Sequence, residues 1–121
     1  MKNQHTIGQF SRMMRLSTKA LRLYDKMGVL KPARVDSTTG YRYYRLEQAC
    51  RADMIRQLRA IDMPLVEIRA YLESENMAKE VLSNHRCRLQ ARINDVEAML
   101  AATDDLLAQP ISLSDLYAKC I

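Results

Sequence analysis

Residues 76–108 contain neither glycine nor proline, and their apolar positions keep a single register. The alternating three- and four-residue spacing of a coiled-coil seam is followed by Leu82, Leu89, Ile93, Val96, Leu100, Thr103 and Leu107, with Arg86 at one further position. At a rise of about 1.5 Å per residue, such a helix is about 50 Å long. It is too long to bury its seam against a small N-terminal domain. The stretch therefore needs a partner helix, and a second copy of itself is the simplest partner.

Residues 6–44 predict two short helices joined by a tight turn. A first helix capped by Thr6 would carry three apolar residues on one face: Ile7, Phe10 and Met14. After a break near residues 15–16, Ser17 can cap a second helix whose inner face carries Leu21 and Tyr24. Gly28 is placed to end that helix in a left-handed conformation. This arrangement is a helix-turn-helix.

The start of the second helix concentrates polar and cationic groups on its outer side. Ser17, Thr18 and Lys19 open the helix, and Arg22 follows one turn later on the same side. A helix N-terminus also presents free backbone N–H groups and a partial positive charge, which favour phosphate. This helix is therefore the candidate for the DNA major groove. Tyr24 shares a face with Leu21, so it fits the core as well as a DNA contact.

A β-hairpin is predicted after Pro32, with its turn at residues 36–40 and Gly40 supplying a positive φ. Strand alternation puts Tyr41 and Tyr43 on one face and Arg42 and Tyr44 on the other. Arg42 could pack on the tyrosine rings as a cation–π pair. We favour a phosphate contact, because an outward wing face otherwise has little reason to be cationic.

Helical spacing returns over residues 46–61, with a stripe formed by Cys50, Met54, Leu58 and Ile61. This pattern predicts that Cys50 belongs to the core. Pro64 suits the first turn of a fourth helix. Residues 110–121 form a short tail.

The composition narrows the partner and the compartment. The chain carries a net charge of +5, which favours a polyanionic partner. It has no apolar run that could cross a bilayer and no signal peptide, so we expect a cytoplasmic protein. Three separated cysteines without a CxxC pair predict no disulfide framework and no metal site. An inter-subunit metal site formed by Cys87 and Cys120 is the weaker alternative. No nucleophile–base pair, glycine-rich phosphate loop or carboxylate dyad points to an enzyme, and no cofactor is expected.

Several short motifs, in this order and spacing, resemble the MerR family of transcriptional regulators. They are IGQFSRMMRLSTKALRLYD for the paired helices, GVLKP for the exit from the second helix, GYRYY for the wing, and MPLVEI for the start of the fourth helix. STKALRLYDKMGVLKP and DSTTGYRYY are most similar to the branch of multidrug-binding regulators. The resemblance covers roughly the first two thirds of the chain.

The resemblance implies a mainly α protein: a winged helix-turn-helix head with a small β-hairpin wing, followed by a long dimerisation helix in an antiparallel coiled coil. The implied domains are the head at residues 1–75, the helix at 76–109 and the tail at 110–121. The implied function is binding of double-stranded promoter DNA as a homodimer, with activation or repression through distortion of the spacer DNA. RNA polymerase is then an indirect partner, and a small-molecule effector cannot be identified.

Position by position, the resemblance assigns DNA contacts to Ser17, Thr18, Lys19, Arg22, Arg42, Tyr44 and Arg59, and Tyr24 is kept as a further candidate contact. Leu23 stands where the family usually has an aromatic residue, and Asp62 replaces a frequent turn glycine, which Asp tolerates because it accepts a left-handed conformation. Two alternatives stay open. One is a coiled-coil adaptor with a basic head, and the other is a short metal- or thiol-responsive member of the same family.

Overall fold

The computed structural model describes residues 4–110 and Ser114. The predicted fold class is confirmed: a mainly α winged helix-turn-helix with a small antiparallel sheet and a long C-terminal helix. The elements are β1 (Gln4–Thr6), α1 (Ile7–Met14), α2 (Thr18–Lys26), β2 (Arg34–Val35), β3 (Arg42–Arg45), α3 (Ala49–Ala60), α4 (Leu65–Tyr71) and α5 (Glu75–Ala108). The described residues up to Ser83 form one compact unit, which contains the head and the start of α5, and those from Asn84 onward form a second.

Side-chain caps fix both helices of the helix-turn-helix. Thr6 Oγ1 accepts from the backbone N–H of Gln9 at 3.2 Å, and the Gln9 side chain accepts from the Thr6 N–H at 2.9 Å, which completes a capping box. Ser17 Oγ accepts from the Ala20 N–H at 2.9 Å. Both predicted caps are therefore confirmed. Between the helices, Arg15 adopts φ 55°, so the tight turn rests on a left-handed residue that is not glycine.

The predicted left-handed positions are confirmed where glycine or aspartate stands. Gly28 has φ 71° after α2, and Asp62 has φ 62° between α3 and α4. Asp62 thus fills the position of a turn glycine at a smaller steric cost than most residues would incur.

The sheet has three strands in the order β1-β3-β2, all antiparallel. The hairpin of β2 and β3 was predicted, but β1 was not. Its sequence, Gln-His-Thr, has no apolar alternation that could indicate a strand. It forms because β3 offers a free edge to pair with, and His5 lies opposite Tyr44 in the resulting register. This pairing brings the start of α1 against the wing.

The core of the head lies where α1, α2, α3 and the sheet meet. Its fully buried large side chains are Phe10, Leu21, Val29, Leu30, Tyr44, Ile55, Met63 and Ile68. The Phe10 and Tyr44 rings are stacked, with centroids 4.7 Å apart and planes within 8°. This stack ties α1 directly to β3.

The buried stripe of α3 differs from the predicted one. Ala52, Ile55 and Leu58 are buried, whereas Cys50 and Ile61 are exposed, so the prediction that Cys50 belongs to the core is wrong. The spacing of larger apolar residues favoured a stripe rotated away from Ala52. Close packing at this face selects the small alanine side chain instead.

Helix α5 has 34 residues, which corresponds to about 51 Å at the rise of an α-helix. Along its seam, Leu82, Ile93, Val96, Leu100 and Leu107 are exposed in the single chain, and Leu89 is half-buried. No helix within the described residues is long and apolar enough to cross a membrane.

Candidate nucleic-acid interface

The N-terminal turn of α2 presents the polar side chains that were predicted to meet DNA. Lys19 and Arg22 are exposed, and Thr18 is partly exposed. Ser17 is exposed as well, but its hydroxyl oxygen is engaged in the helix cap. Because the cap fixes the first turn, three side chains and the free N–H groups of the helix N-terminus face the same region.

Arg22 and Arg42 meet at a surface recess, although they come from different elements. The recess has a volume of about 280 Å³ and is lined by Thr6, Ile7, Arg22, Gly40, Tyr41 and Arg42. It therefore lies between the start of α1, the middle of α2 and the tip of the hairpin. The recess therefore brings one arginine of α2 and one arginine of the wing to the same part of the surface. Four lining residues were missed as site residues: Thr6, Ile7, Gly40 and Tyr41. Thr6 and Ile7 lie where the unpredicted strand β1 meets α1, whereas Gly40 and Tyr41 belong to the predicted hairpin.

Arg42 does not project freely from the wing. Its Nε donates to Asp25 Oδ2 at 3.1 Å, and the two side chains are 33% and 24% exposed. Since Nε is the bonded atom, this contact does not use the terminal amino groups of Arg42. The cation–π pair considered for Arg42 is instead made by Arg34, whose guanidinium carbon lies 4.4 Å from the Tyr43 ring centroid.

Tyr44 is a core residue, which corrects its predicted place at the wing surface. Its exposure is 0%, and its hydroxyl is the one buried side-chain polar atom without a hydrogen-bond partner among the described residues. Burial raises the pKa of Tyr44, the charge of Asp25 raises it further, and Arg42 and Arg22 oppose these effects. A buried phenol cannot reach a phosphate, so Tyr44 supports the wing from beneath.

Tyr24 is also packed in the core, with 6% exposure, so the alternative that placed it beside Leu21 is the correct one. Burial raises the pKa of Tyr24, and the nearby charge of Arg59 lowers it.

Arg59 itself is exposed, and its Nη1 donates to the Met63 carbonyl oxygen at 2.6 Å. Arg59 therefore closes the turn after α3, and a cationic surface remains there.

The tip of the wing is shaped by Asp36. Its Oδ1 accepts from the backbone N–H groups of Thr38 at 2.8 Å and Thr39 at 3.0 Å. The bond from the Thr39 N–H is the largest cause that holds the pKa of Asp36 below its usual value, followed by the one from Thr38. Gly40, at φ 75°, returns the chain to β3. The turn is therefore held without contribution from Arg42.

The described part of the chain offers no cluster of three or more His, Cys, Asp or Glu side chains that could hold a metal ion. Cys50 and Cys87 are free and exposed. Cys120, which would complete the alternative inter-subunit metal site with Cys87, lies outside the described residues.

A helix-turn-helix with a capped second helix, followed by a β-hairpin wing, defines the class of winged helix-turn-helix proteins. Residues 5–75 match the MerR HTH family regulatory proteins, and residues 51–106 match the family described as MerR, DNA binding. The chain therefore belongs to the MerR family.

The transcriptional regulator BrlR of Pseudomonas aeruginosa is 38% identical over 85% of this chain, and the multidrug-efflux transporter 1 regulator of Bacillus subtilis is 36% identical over 90% of it. The chain spans only 40% and 37% of the lengths of these two relatives. Among solved structures, the chain is similar to EcmrR in a cryo-EM complex with DNA, with a TM-score of 0.76 and 31% identity. That match covers 85% of this chain and 38% of EcmrR.

Proposed function

We propose that this chain binds double-stranded promoter DNA as a homodimer and regulates transcription, activating or repressing by distorting the spacer DNA. RNA polymerase is then affected indirectly, through the geometry of the promoter. The observation that carries the proposal is the surface recess that is lined by both Arg22 of α2 and Arg42 of β3. The protein then works in the cytoplasm, where bacterial promoters are.

In this proposal each part of the chain has one task. Residues 1–75 read DNA, residues 76–109 dimerise through the seam of α5, and residues 110–121 are a tail. The exposed leucine, isoleucine and valine side chains of the seam support dimerisation, because a single helix leaves them in water. Two heads on one dimer can hold two half-sites, and the energy needed to deform the DNA between them then becomes part of the recognition.

The contacts divide into positioning and reading. Lys19 and Arg42 are assigned to phosphate, which positions the head without reading sequence. Arg22 lies one turn into α2 and is assigned to a base edge in the major groove. The family's aromatic residue before Tyr24 is replaced here by Leu23, which is 44% exposed. Its side chain can make apolar but not hydrogen-bonded contacts.

The test is fluorescence anisotropy with a labelled duplex from upstream of the encoding gene and a random duplex of equal length, titrated over a range of salt concentrations. The full chain should bind the upstream duplex more tightly, and the logarithm of affinity should fall linearly with the logarithm of salt concentration. Arg22→Ala should weaken the free energy of binding to the upstream duplex by about 1–3 kcal/mol. The difference in affinity between the upstream and the random duplex should therefore become smaller.

Lys19→Ala and Lys79→Ala form a matched pair of charge deletions. Both lysines are exposed, but Lys79 lies on α5, which contributes no residue to the lining of the recess. Lys19→Ala should weaken binding on both duplexes and reduce the salt slope by about one, whereas Lys79→Ala should leave the slope unchanged. If the full chain binds neither duplex at low salt, the proposal is wrong, and the coiled-coil adaptor becomes the better interpretation.

A further inference from the structure

The contact between Asp25 and Arg42 places a carboxylate inside a surface that is otherwise built to attract phosphate. Asp25 lies near the end of α2, and its Oδ2 accepts from Arg42 Nε of β3 at 3.1 Å. Both side chains are mostly buried, at 24% and 33% exposure, so this is not a solvated surface pair. A negative charge near DNA opposes binding, so the presence of Asp25 beside the recess-lining Arg42 requires an explanation.

We propose that Asp25 is a positioning residue for DNA binding: it holds the Arg42 guanidinium at the recess so that its terminal amino groups meet a phosphate. This inference rests on the proposed function and adds to it a residue that does not itself touch DNA. The geometry supports it, because a bond at Nε leaves the outer edge of the planar guanidinium available to a second acceptor.

Two physical costs are reduced by this arrangement. A free arginine side chain samples many rotamers, and ordering it at an interface costs affinity. Arg22 also lines the recess, so the two cations repel each other before DNA arrives. The Asp25 carboxylate offsets that repulsion. Besides burial, which is the largest cause of the raised pKa of Tyr44, Asp25 raises this pKa, and Arg42 and Arg22 lower it.

Removal of the Asp25 side chain distinguishes a positioning role from an effect of net charge on DNA binding. Asp25→Ala makes the head more positive by one charge, so an effect of net charge alone predicts tighter DNA binding. The positioning role predicts the opposite. Arg42 is released, and binding to both the upstream and the random duplex weakens roughly two- to tenfold, since one rotamer-rich side chain must now be ordered on binding.

Asp25→Asn is the conservative variant, because its amide oxygen can still accept from Arg42 Nε. We expect it to bind DNA at least as tightly as the wild-type chain. Asp53→Ala is the matched control: Asp53 lies on α3, pairs with Arg56 and Gln57, and its removal adds the same charge. It should not weaken binding.

The salt dependence separates positioning from a loss of stability. If Asp25→Ala merely unfolds part of the protein, the apparent affinity falls by one factor at every salt concentration and the slope is kept. If Arg42 loses its phosphate, the slope falls by about one, as in Arg42→Ala, and the double variant binds no more weakly than Arg42→Ala alone. Urea unfolding of each variant provides the folded fraction for the correction.

Each outcome decides the inference. Weaker binding of Asp25→Ala with a reduced slope, together with rescue by Asp25→Asn, supports it. Equal or tighter binding of Asp25→Ala overturns it, while wild-type binding in the same experiment leaves the proposed function intact. If the wild-type chain does not bind DNA at all, the proposed function and this inference fail together.

Discussion

The buried hydroxyl group of Tyr44 leads to a prediction about stability, in which the contribution of the hydroxyl is measured separately from that of the ring. The residue is fully buried, its ring is stacked on Phe10 at 4.7 Å, and its hydroxyl has no partner among the described residues. Tyr44→Phe keeps the ring and the stack and removes only the oxygen. A buried hydroxyl left without a hydrogen bond costs about 1–3 kcal/mol. The variant should therefore be more stable by about 1 kcal/mol, taking the low end of that range.

Urea unfolding at neutral pH and fixed protein concentration measures this gain, since a dimer has a concentration-dependent stability. For a head of this size, a gain of 1 kcal/mol corresponds to an increase in Tm of about 4–8 °C. Tyr43→Phe is the control. Tyr43 is partly exposed and faces Arg34, so the loss of its hydroxyl should change the free energy of unfolding by less than about 0.5 kcal/mol.

The pH dependence gives the same variant a second signature. Because burial raises the pKa of Tyr44, the folded chain holds the phenol proton more tightly than the unfolded chain does. The resulting stability is fully present below the unfolded pKa of about 10 and is lost as pH rises through the higher folded value. The wild-type free energy of unfolding should therefore fall above about pH 10, and that of Tyr44→Phe should fall less.

DNA binding completes the test of Tyr44. If its ring only supports the wing, Tyr44→Phe binds DNA as the wild-type chain does. A loss of 1 kcal/mol or more in stability, or a clear loss of DNA affinity, would show that the hydroxyl has a partner, and the reasoning from burial would be refuted.

Three further predictions concern the backbone, the α2 cap and the seam. Gly28→Ala should cost about 1–2 kcal/mol in urea unfolding, because φ is 71° and the new Cβ would lie 3.5 Å from Arg69; an unchanged midpoint would argue against strain there. Ser17→Asp should keep the helix cap and the free energy of unfolding but weaken DNA binding, whereas Ser17→Ala should lower the free energy of unfolding by about 1 kcal/mol. Equal DNA affinity of Ser17→Asp and the wild-type chain would show that Ser17 is not part of the interface. Ile93→Asp should give a monomer by analytical ultracentrifugation, while Ala98→Asp, on the opposite side of α5, should leave the dimer; equal behaviour of the two would place the contact elsewhere.

The sequence was sufficient where a local rule acts alone. Thr6 and Ser17 were predicted as caps from residue type and position, and hydrogen bonds of 3.2 and 2.9 Å confirm both. Gly28 and Asp62 were predicted as left-handed positions and have φ of 71° and 62°. In each of these cases the controlling interaction lies within a few residues, so no knowledge of tertiary packing was needed.

Prediction failed where the deciding partner is distant in sequence. Strand β1 depends on the edge of β3, and nothing in Gln-His-Thr indicates it. The stripe on α3 was placed over Cys50, whereas packing buries Ala52. Asp25 was not predicted as a site residue, since its role depends on Arg42. Its position three residues after Arg22, on the same side of α2, was the available signal.

The different environments of Arg42 and Tyr44 show why the alternation of side chains along a strand cannot by itself define the DNA interface. The two residues lie on one face of β3, as predicted, and that face turns toward the helices. At Tyr44 the strand pairs with His5 of β1, and α1 covers it with Phe10, so the side chain becomes core. Arg42 is nearer the turn, where its side chain bonds to Asp25 of α2 and lines the recess. One face of a strand therefore changes from core to candidate DNA contact within two residues. The difference comes from the helix that each side chain contacts, which is α1 for Tyr44 and α2 for Arg42.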